Sequence, residues 1–357
     1  VNARPALQQV PAGVVRAADY EAHGRGALSA AAAAYFHAQA GDGLTVAANR
    51  AAWDALALQP RVLRRLQGPQ TECALLGRRW PTPLLVAPMA LQRLAHSDGE
   101  LASALAAAAQ GVGTILSCQA SVSLEQVAAV ASADAGRGPL WLQLYFPPDR
   151  GALLELVARA EAAGYEALVI TVDAPALAAR TGLALAPGLS PVNLPAAQSA
   201  GSLRQLLATA PDWSELEWLR ARTRLPILLK GVLHPADARL ASSAGMAGVI
   251  VSNHGGRTLD GSVGTARALP RIVQAVGGEL PVLVDGGIRS GTDVLKALAL
   301  GASAVLVGRP VLWALASAGA AGVAHLLRLL RDELELAMAQ CGADALGDLG
   351  PDLVARD

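Results

Sequence analysis

From residue 84 onward, short apolar runs alternate with longer helical patterns eight times over, and no other feature limits the fold of this chain so severely. The runs are LLVAPMA, TILSC, LWLQLYF, ALVITVD, PILLKGV, GVIVSNHG, PVLVDGG and AVLVGRP. Continuous runs rich in Val, Ile and Leu read as strands buried on both faces, as in a parallel sheet. Between them lie DGELASALAAAAQG, SLEQVAAVA, ALLELVARAEAAG, SELEWLRART, PADARLASSAG, ALPRIVQAVGG and SGTDVLKALALG, several with glycine where a helix stops. Eight βα units over roughly 230 residues are the size of one closed (β/α)8 barrel. A doubly wound open sheet is the alternative, but no GxGxxG follows the first run and no single switch point stands out.

The expectation is therefore an α/β protein, a TIM barrel with an N-terminal helical segment and a flap loop after strand 4. One domain spans 1–357, with the helical or lid segment at 1–83, the barrel at 84–340 and the flap at 180–212. YEAHGRGALSAAAAAYFHA reads as helical, and PRVLRRL and CALLGRRWPTPL read as a lid or a base. With 53% hydrophobic residues the core can be large, and 29 basic against 29 acidic residues give no bulk attraction to nucleic acid or anionic membrane. Three distant cysteines, Cys73, Cys118 and Cys341, argue against a disulfide framework or a metal site and favour the cytoplasm. No apolar run reaches the length of a membrane span, and the amino terminus lacks the pattern of a secretory signal.

Barrel chemistry sits at the carboxyl ends of strands, so those positions are read together. They carry Ala87, Pro88, Met89 and Ala90; Ser117; Gln143 and Tyr145; Thr171 and Asp173, with Arg180 beyond; Lys230; Ser252, His254 and Arg257; Asp285, Gly286, Gly287 and Arg289; Gly308 and Arg309. DGGIRSG and GRP offer glycine N–H groups and two arginines behind the last two strands, which is a phosphate cradle unless the glycines only make turns. Lys230 in a barrel mouth needs an anion: a Schiff-base substrate, a carboxylate, or an electron-rich ring that becomes negative on reduction. Ser117, Gln143 and Thr171 can bond a heteroaromatic edge, though each alone reads equally as a satisfied core polar group. Asp173 and His254 suggest a carboxylate orienting an imidazole base, with Arg257, Arg180, Tyr35 and Tyr145 gripping a substrate carboxylate.

SNHGGRTLD, DGGIRSGTDVLKALALGA and VGRPV, with DYEAHGRGAL, NRAAWD, PRVL and RDELELAMAQCG, carry a resemblance over nearly the whole chain. The chain resembles the FMN-dependent 2-hydroxy acid oxidases and dehydrogenases, most of all the members acting on mandelate or 4-hydroxymandelate. The resemblance implies that Ala87, Pro88, Met89, Ser117, Gln143, Thr171, Lys230 and Ser252 contact the FMN ring or ribityl chain. Asp285, Gly286, Gly287, Arg289, Gly308 and Arg309 would hold ribityl and phosphate, and Lys230 would answer negative charge at the N1/O2 edge. It further implies His254 as the base paired with Asp173, and Tyr35, Tyr145, Arg180 and Arg257 as the carboxylate site. The implied reaction oxidises an (S)-2-hydroxy acid to the 2-oxo acid, with dioxygen as acceptor and hydrogen peroxide as product. Membership also implies a homo-oligomer, tetramer or octamer.

Several positions depart from the pattern. Glycolate oxidase has tryptophan where Gln119 stands and serine at Cys118, so the wall beside the substrate side chain is opened, which favours a bulky or aromatic acid. The family's RLGRR is here Ala176-Leu177-Ala178-Ala179-Arg180, of whose arginines only the last remains, and the usual glycine pair after His37 is missing. The flap is shorter and more mixed than the insertion of membrane-bound mandelate dehydrogenases. The runner-up is a dehydrogenase passing electrons to a quinone or protein, against which Ala90 leans. A phosphate-handling isomerase or lyase using Lys230 covalently, and a barrel that only binds a ligand, are the more distant readings.

Overall fold

A computed structural model of the chain describes residues 8–147, 149–174, 190–194, 204, 207 and 210–355. Arg180 and most of the 180–212 flap lie outside the described residues. Two short strands, β1 (Cys73–Leu75) and β2 (Arg78–Trp80), precede the barrel strands. Those are β3 (Leu84–Val86), β4 (Gly113–Ser117), β5 (Leu140–Leu144), β6 (Ala167–Thr171), β7 (Ile227–Val232), β8 (Gly248–Val251), β9 (Val282–Val284) and β10 (Ala304–Val307). All eight pair in parallel and close in the order β10-β3-β4-β5-β6-β7-β8-β9, as the alternation requires. The ladders take in Ser117, Gln143, Thr171 and Lys230 but stop before Asp173, His254 and Asp285, which stand on the loops just beyond their strands.

Side chains alternate between two environments, as the pleat dictates. Leu85, Ile115, Trp141, Val169, Leu228, Ile250, Leu283 and Leu306 fill the barrel interior, while their neighbours pack outward on the helices. Leu75 and Trp80 join the interior cluster, and the Trp80 ring meets Trp141 edge-on at 5.5 Å. Trp141 lies near the start of β5, so the β1–β2 hairpin plugs the amino-terminal end; of lid or base, it is the base. Its two-residue turn, Leu76 (φ 49) and Gly77 (φ 76), has the left-handed pair that a tight hairpin needs. Glu166, just ahead of β6, ties it down by accepting from Arg78 and Arg137 at 2.6 Å each.

The N-terminal segment forms α1 (Tyr20–Ala27), α2 (Ala30–Phe36) and α3 (Leu44–Asp54). The stretch read as helical over 20–38 forms two helices, because Leu28 is extended (φ −76, ψ 139) and the Ser29 side chain caps α2 by accepting from Ala32 N at 3.2 Å. A serine hydroxyl competes well with helix continuation at such a point. The outer ring is α4 (Gly99–Ala109), α5 (Leu124–Ala131), α6 (Arg150–Ala162), α7 (Trp213–Arg220), α8 (Pro235–Ser243), α9 (Thr265–Val276), α10 (Gly291–Ala299) and α11 (Arg309–Gln340). Helix α11 kinks at Ala318 and Gly319 and packs against α1, α4 and α10. By length and composition it could cross a bilayer, contrary to the expectation from run lengths, but 72% of its apolar window is buried, as in a core helix.

Candidate active site

The loop after β8 holds three consecutive left-handed residues, His254 (φ 57), Gly255 (φ 62) and Gly256 (φ 78). Glycines adopt this freely, but for His254 it costs roughly 1–2 kcal/mol, which its surroundings must offset. The His254 N–H donates to Ser252 Oγ at 3.1 Å, and its Nδ1 lies 2.9 Å from Asp173 Oδ1. Asp173 enters from the end of β6, and a glycine makes room for it: a Cβ on Gly231 would come within 2.5 Å of the Asp173 Cβ. Burial alone would raise the Asp173 pKa, yet the hydrogen bond and charge of His254 and the charge of Lys230 hold it below the usual carboxylate value. Asp173 therefore stays ionised and fixes the proton of His254 on Nδ1, leaving Nε2 free to act as a base.

Lys230 closes the other side of the mouth. It donates to Ser252 Oγ at 2.9 Å and lies 3.2 Å from Asp285 Oδ2, so of the anions open to it the protein supplies a carboxylate. Burial opposes its charge, but Asp285 and Asp173 outweigh that and raise its pKa above the normal lysine value. Ser117 donates to Gln143 Oε1 at 3.1 Å, whereas Gln143 Nε2 and Asp285 Oδ1 are buried without a partner. Ser117, Gln143, Thr171, Lys230, Ser252 and Asp285 are each at most 7% exposed. A donor-rich, buried wall with an orphaned amide and a cation fits the acceptor edge of a heteroaromatic ring better than a closed core. Ala87, Pro88 and Met89 leave β3 beside it, and Gly308 lies close enough that an added Cβ would touch Ala87 and Met89 at 3.8 and 3.9 Å.

The cations gather on the next side. Arg309, at the amino end of α11, donates to the Gly255 carbonyl, and Arg289 donates to Ile288 O at 2.8 Å and lies over the Trp313 ring at 4.9 Å. Burial, then the charges of Arg289 and Arg257, push the Arg309 pKa down to about 10. Mutually repelling, half-buried guanidiniums at a helix N-terminus, beside Gly286 and Gly287, have the donor chemistry for a phosphate.

Arg257 donates through Nη1 to the carbonyls of Tyr35, Phe36 and Ala38 at 2.9, 3.1 and 3.3 Å, so the end of α2 anchors it. Its guanidinium carbon lies 5.5 Å from the Tyr35 ring centre. Burial raises the pKa of Tyr35 and of Tyr145, which keeps both hydroxyls as donors. Tyr145 feels the charges of Asp173 and Arg257, so that carboxylate, the guanidinium and both phenols share one mouth. Beside them burial pushes the Cys118 thiol up to about 12, which keeps it neutral. Arg180 alone among the expected residues lies outside the described ones.

Sequence reasoning missed the braces. Helix α3 sends Trp53 Nε1 to Gly286 O at 2.8 Å, Arg50 Nη1 to Gly287 O at 2.6 Å and to Asp293 at 2.8 Å, and Asn49 to Asn253 at 2.8 Å. Glu100, 2% exposed, accepts from the Gln92 and Ser121 N–H groups at 3.0 and 2.9 Å and props the loop after β4. NRAAWD was visible as a motif; that Asn49, Arg50 and Trp53 reach inward from it was not.

Comparison with known proteins decides what the site belongs to. The family model described as FMN-dependent dehydrogenase matches residues 24–356. The L-lactate oxidase of Alicycliphilus denitrificans is 47% identical over 96% of this chain and 97% of its own length. The chain belongs to the FMN-dependent 2-hydroxy acid oxidase family. The 4-hydroxymandelate oxidase of Amycolatopsis orientalis is 45% identical, covering 93% of this chain and 95% of its own. A mandelate oxidase structure with (S)-2-phenylpropionate superposes with a TM-score of 0.86 at 44% identity, covering 96% and 98% of the two chains. A variant of a mandelate oxidase carries a C4a-OH-FMN adduct and superposes at 0.84 with 44% identity, covering 94% and 98%. FMN is accordingly the cofactor, the protein is a flavoprotein oxidoreductase, and its substrates are 2-hydroxy acids with dioxygen as acceptor.

Proposed function

We propose that this oxidase acts on (S)-2-hydroxy acids with a bulky or aromatic side chain, of the mandelate class, with His254 as the base. The observation that carries the assignment of the base is the 2.9 Å His254–Asp173 pair beside Lys230 in the barrel mouth. FMN, when bound, supplies a two-electron acceptor that dioxygen regenerates with release of hydrogen peroxide. Arg257, with the hydroxyls of Tyr35 and Tyr145, binds the substrate carboxylate; Arg180, expected with them, lies outside the described residues. His254 Nε2 takes a proton from the substrate, and Asp173 answers the positive charge that the imidazole gains. Loss of that proton and of a hydride equivalent turns the hydroxy acid into the 2-oxo acid. Ala87, Pro88, Met89, Ser117, Gln143, Thr171 and Ser252 would seat the ring, and the ammonium of Lys230 would stand at its edge as a counter-charge. Asp285, Gly286, Gly287, Arg289, Gly308 and Arg309 hold ribityl and phosphate.

Substrate size rests on Gln119, half-buried in the loop after β4, where glycolate-type members have tryptophan. Its N–H donates to Ser117 Oγ at 3.1 Å, which fixes its backbone against the flavin-side wall. The mandelate-named relatives favour the same reading, whereas the lactate oxidase relatives favour a small side chain. Oxygen uptake with glycolate, (S)-lactate, (S)-2-hydroxyisocaproate and (S)-mandelate separates the two. We expect kcat/KM to rise along that series by about 10-fold or more, the scale of a few methylenes in an apolar pocket; a maximum at glycolate or lactate would sink the bulky-substrate reading. The chain would act as one domain, in the cytoplasm and as a tetramer or octamer. Its three unpaired thiols and the exposed Val62 and Leu63 support that, and light scattering would test the oligomer.

A further inference from the structure

We propose that Asn49 and Asn253 are positioning residues whose reciprocal amide pair holds the loop that sets His254 against Asp173. The inference rests on the reading of His254 as the base. Asn49 Nδ2 donates to Asn253 Oδ1 at 2.8 Å, and Asn253 Nδ2 donates back to Asn49 Oδ1 at 2.8 Å. Each amide is 2% exposed. Two further bonds complete the pair: the Thr265 N–H reaches Asn49 Oδ1 at 3.1 Å, and Asn253 Nδ2 reaches Val263 O at 3.1 Å. The start of the 252–264 loop, its end, and helix α3 are thereby tied at one buried point.

That point adjoins the base. The Asn253 carbonyl accepts from Gly256 N at 2.9 Å and closes the left-handed turn that contains His254. The imidazole occupies an unfavourable backbone conformation, so its orientation depends on what grips the residues on either side. Asn253 is the grip on its amino side. Without the pair the turn is free to relax, and the ring moves away from Asp173; proton transfer depends steeply on such placement. A pair of facing amides is also chemically exacting. Replacing Asn49 by the isosteric aspartate keeps its shape but sets a carboxylate oxygen against Asn253 Oδ1. Burial and that opposed oxygen raise the pKa of the new carboxyl, against the lowering by the two N–H groups of Asn253 and Thr265 that its other oxygen accepts. Once protonated, it donates to Asn253 Oδ1 and the pair is restored.

The test uses FMN-loaded parent, Asn49→Asp, Asn253→Ala and His254→Gln, mixed anaerobically with (S)-mandelate, or with the best acid of the series above, from pH 5.5 to 9. For Asn253→Ala we expect flavin reduction slowed about 10- to 100-fold, with the substrate concentration for half-maximal rate changed less than about 3-fold, since the Arg257 guanidinium is held separately by the carbonyls of Tyr35, Phe36 and Ala38. Asn49→Asp should be slowed similarly at pH 8 and regain at least about 5-fold relative to the parent by pH 5.5, as its carboxyl protonates. A role confined to folding would leave the folded, FMN-loaded variants reducing at the parent's rate at every pH. Parent-like rates in both loaded asparagine variants, or an Asn49→Asp ratio flat across pH, would overturn the proposal. If Asn253→Ala fails to fold, the isosteric Asn49→Asp carries the test alone. Parent-like reduction in His254→Gln would instead refute the assignment of the base, which separates the two failures.

Discussion

At Lys230 burial and charge oppose each other, and Asp285 and Asp173 decide the outcome. Removing the ammonium as Lys230→Met leaves the Asp285 carboxylate buried without its 3.2 Å partner. Breaking such a pair costs about 3–5 kcal/mol, so chemical denaturation should show a loss of that size. Flavin reduction should slow by about 100-fold or more, because a preorganised cation near developing charge is lost. The double variant Lys230→Met/Asp285→Asn should recover stability but not rate; recovery of both would mean that the lysine only balances the aspartate. At Asp173 the folded-state pKa lies below 3.8, so the stability it contributes is complete above that value and is lost as pH falls through the lower folded one. Asp173 therefore does not titrate across the working range. Asp173→Asn should lower kcat by about 10²- to 10⁴-fold at every pH between 6 and 9, since the carboxylate that orients and compensates the base is gone. A pH-rate profile in which the defect vanishes at either end would contradict this.

Helix α3 and the β1–β2 hairpin lie on opposite ends of the barrel and should fail differently. Arg50 on α3 reaches Gly287 O and Asp293, beside the proposed phosphate loop, without entering the mouth. Arg50→Ala should weaken FMN binding by about 10-fold or more, as a charge-assisted contact of about 1.5–3 kcal/mol is lost, while the loaded enzyme keeps its kcat within about 2-fold. Equilibrium dialysis against FMN reads the first and saturating-cofactor assays the second; a loaded enzyme with normal affinity would mean that α3 does not support the loop. Trp80, 1% exposed in the hairpin, packs on Trp141. Trp80→Ala should destabilise the barrel by about 3–5 kcal/mol and leave KM unchanged, because it empties the end remote from the mouth. These elements also mark what could be read in advance. Eight strands were legible because buried parallel strands are unbroken apolar runs. The α1–α2 break was hidden because alanines on both sides of Ser29 suit a helix equally well, and only the cap distinguishes them.

Over the whole molecule, residues that end strands were legible and residues that brace them were not. His254, Lys230, Gln143 and Asp285 stand where an apolar run stops, and closure of the barrel alone makes those ends neighbours. Asn49, Arg50, Trp53 and Glu100 sit inside helical patterns, where a polar residue normally faces water, so their inward contacts exist only through tertiary packing. The barrel, the base pair and the cations thus follow from local pattern plus one closure, whereas the rigidity of the site depends on contacts across more than 200 positions. The most direct test of the whole account is an anaerobic half-reaction: FMN-loaded protein mixed with (S)-mandelate, the visible flavin bands followed, then air admitted. Bleaching, return of colour and one equivalent of hydrogen peroxide per 2-oxo acid are the expected result, with His254→Gln remaining yellow. Loaded parent protein that never bleaches with any acid of the series, or a His254→Gln variant that bleaches as fast, would contradict it.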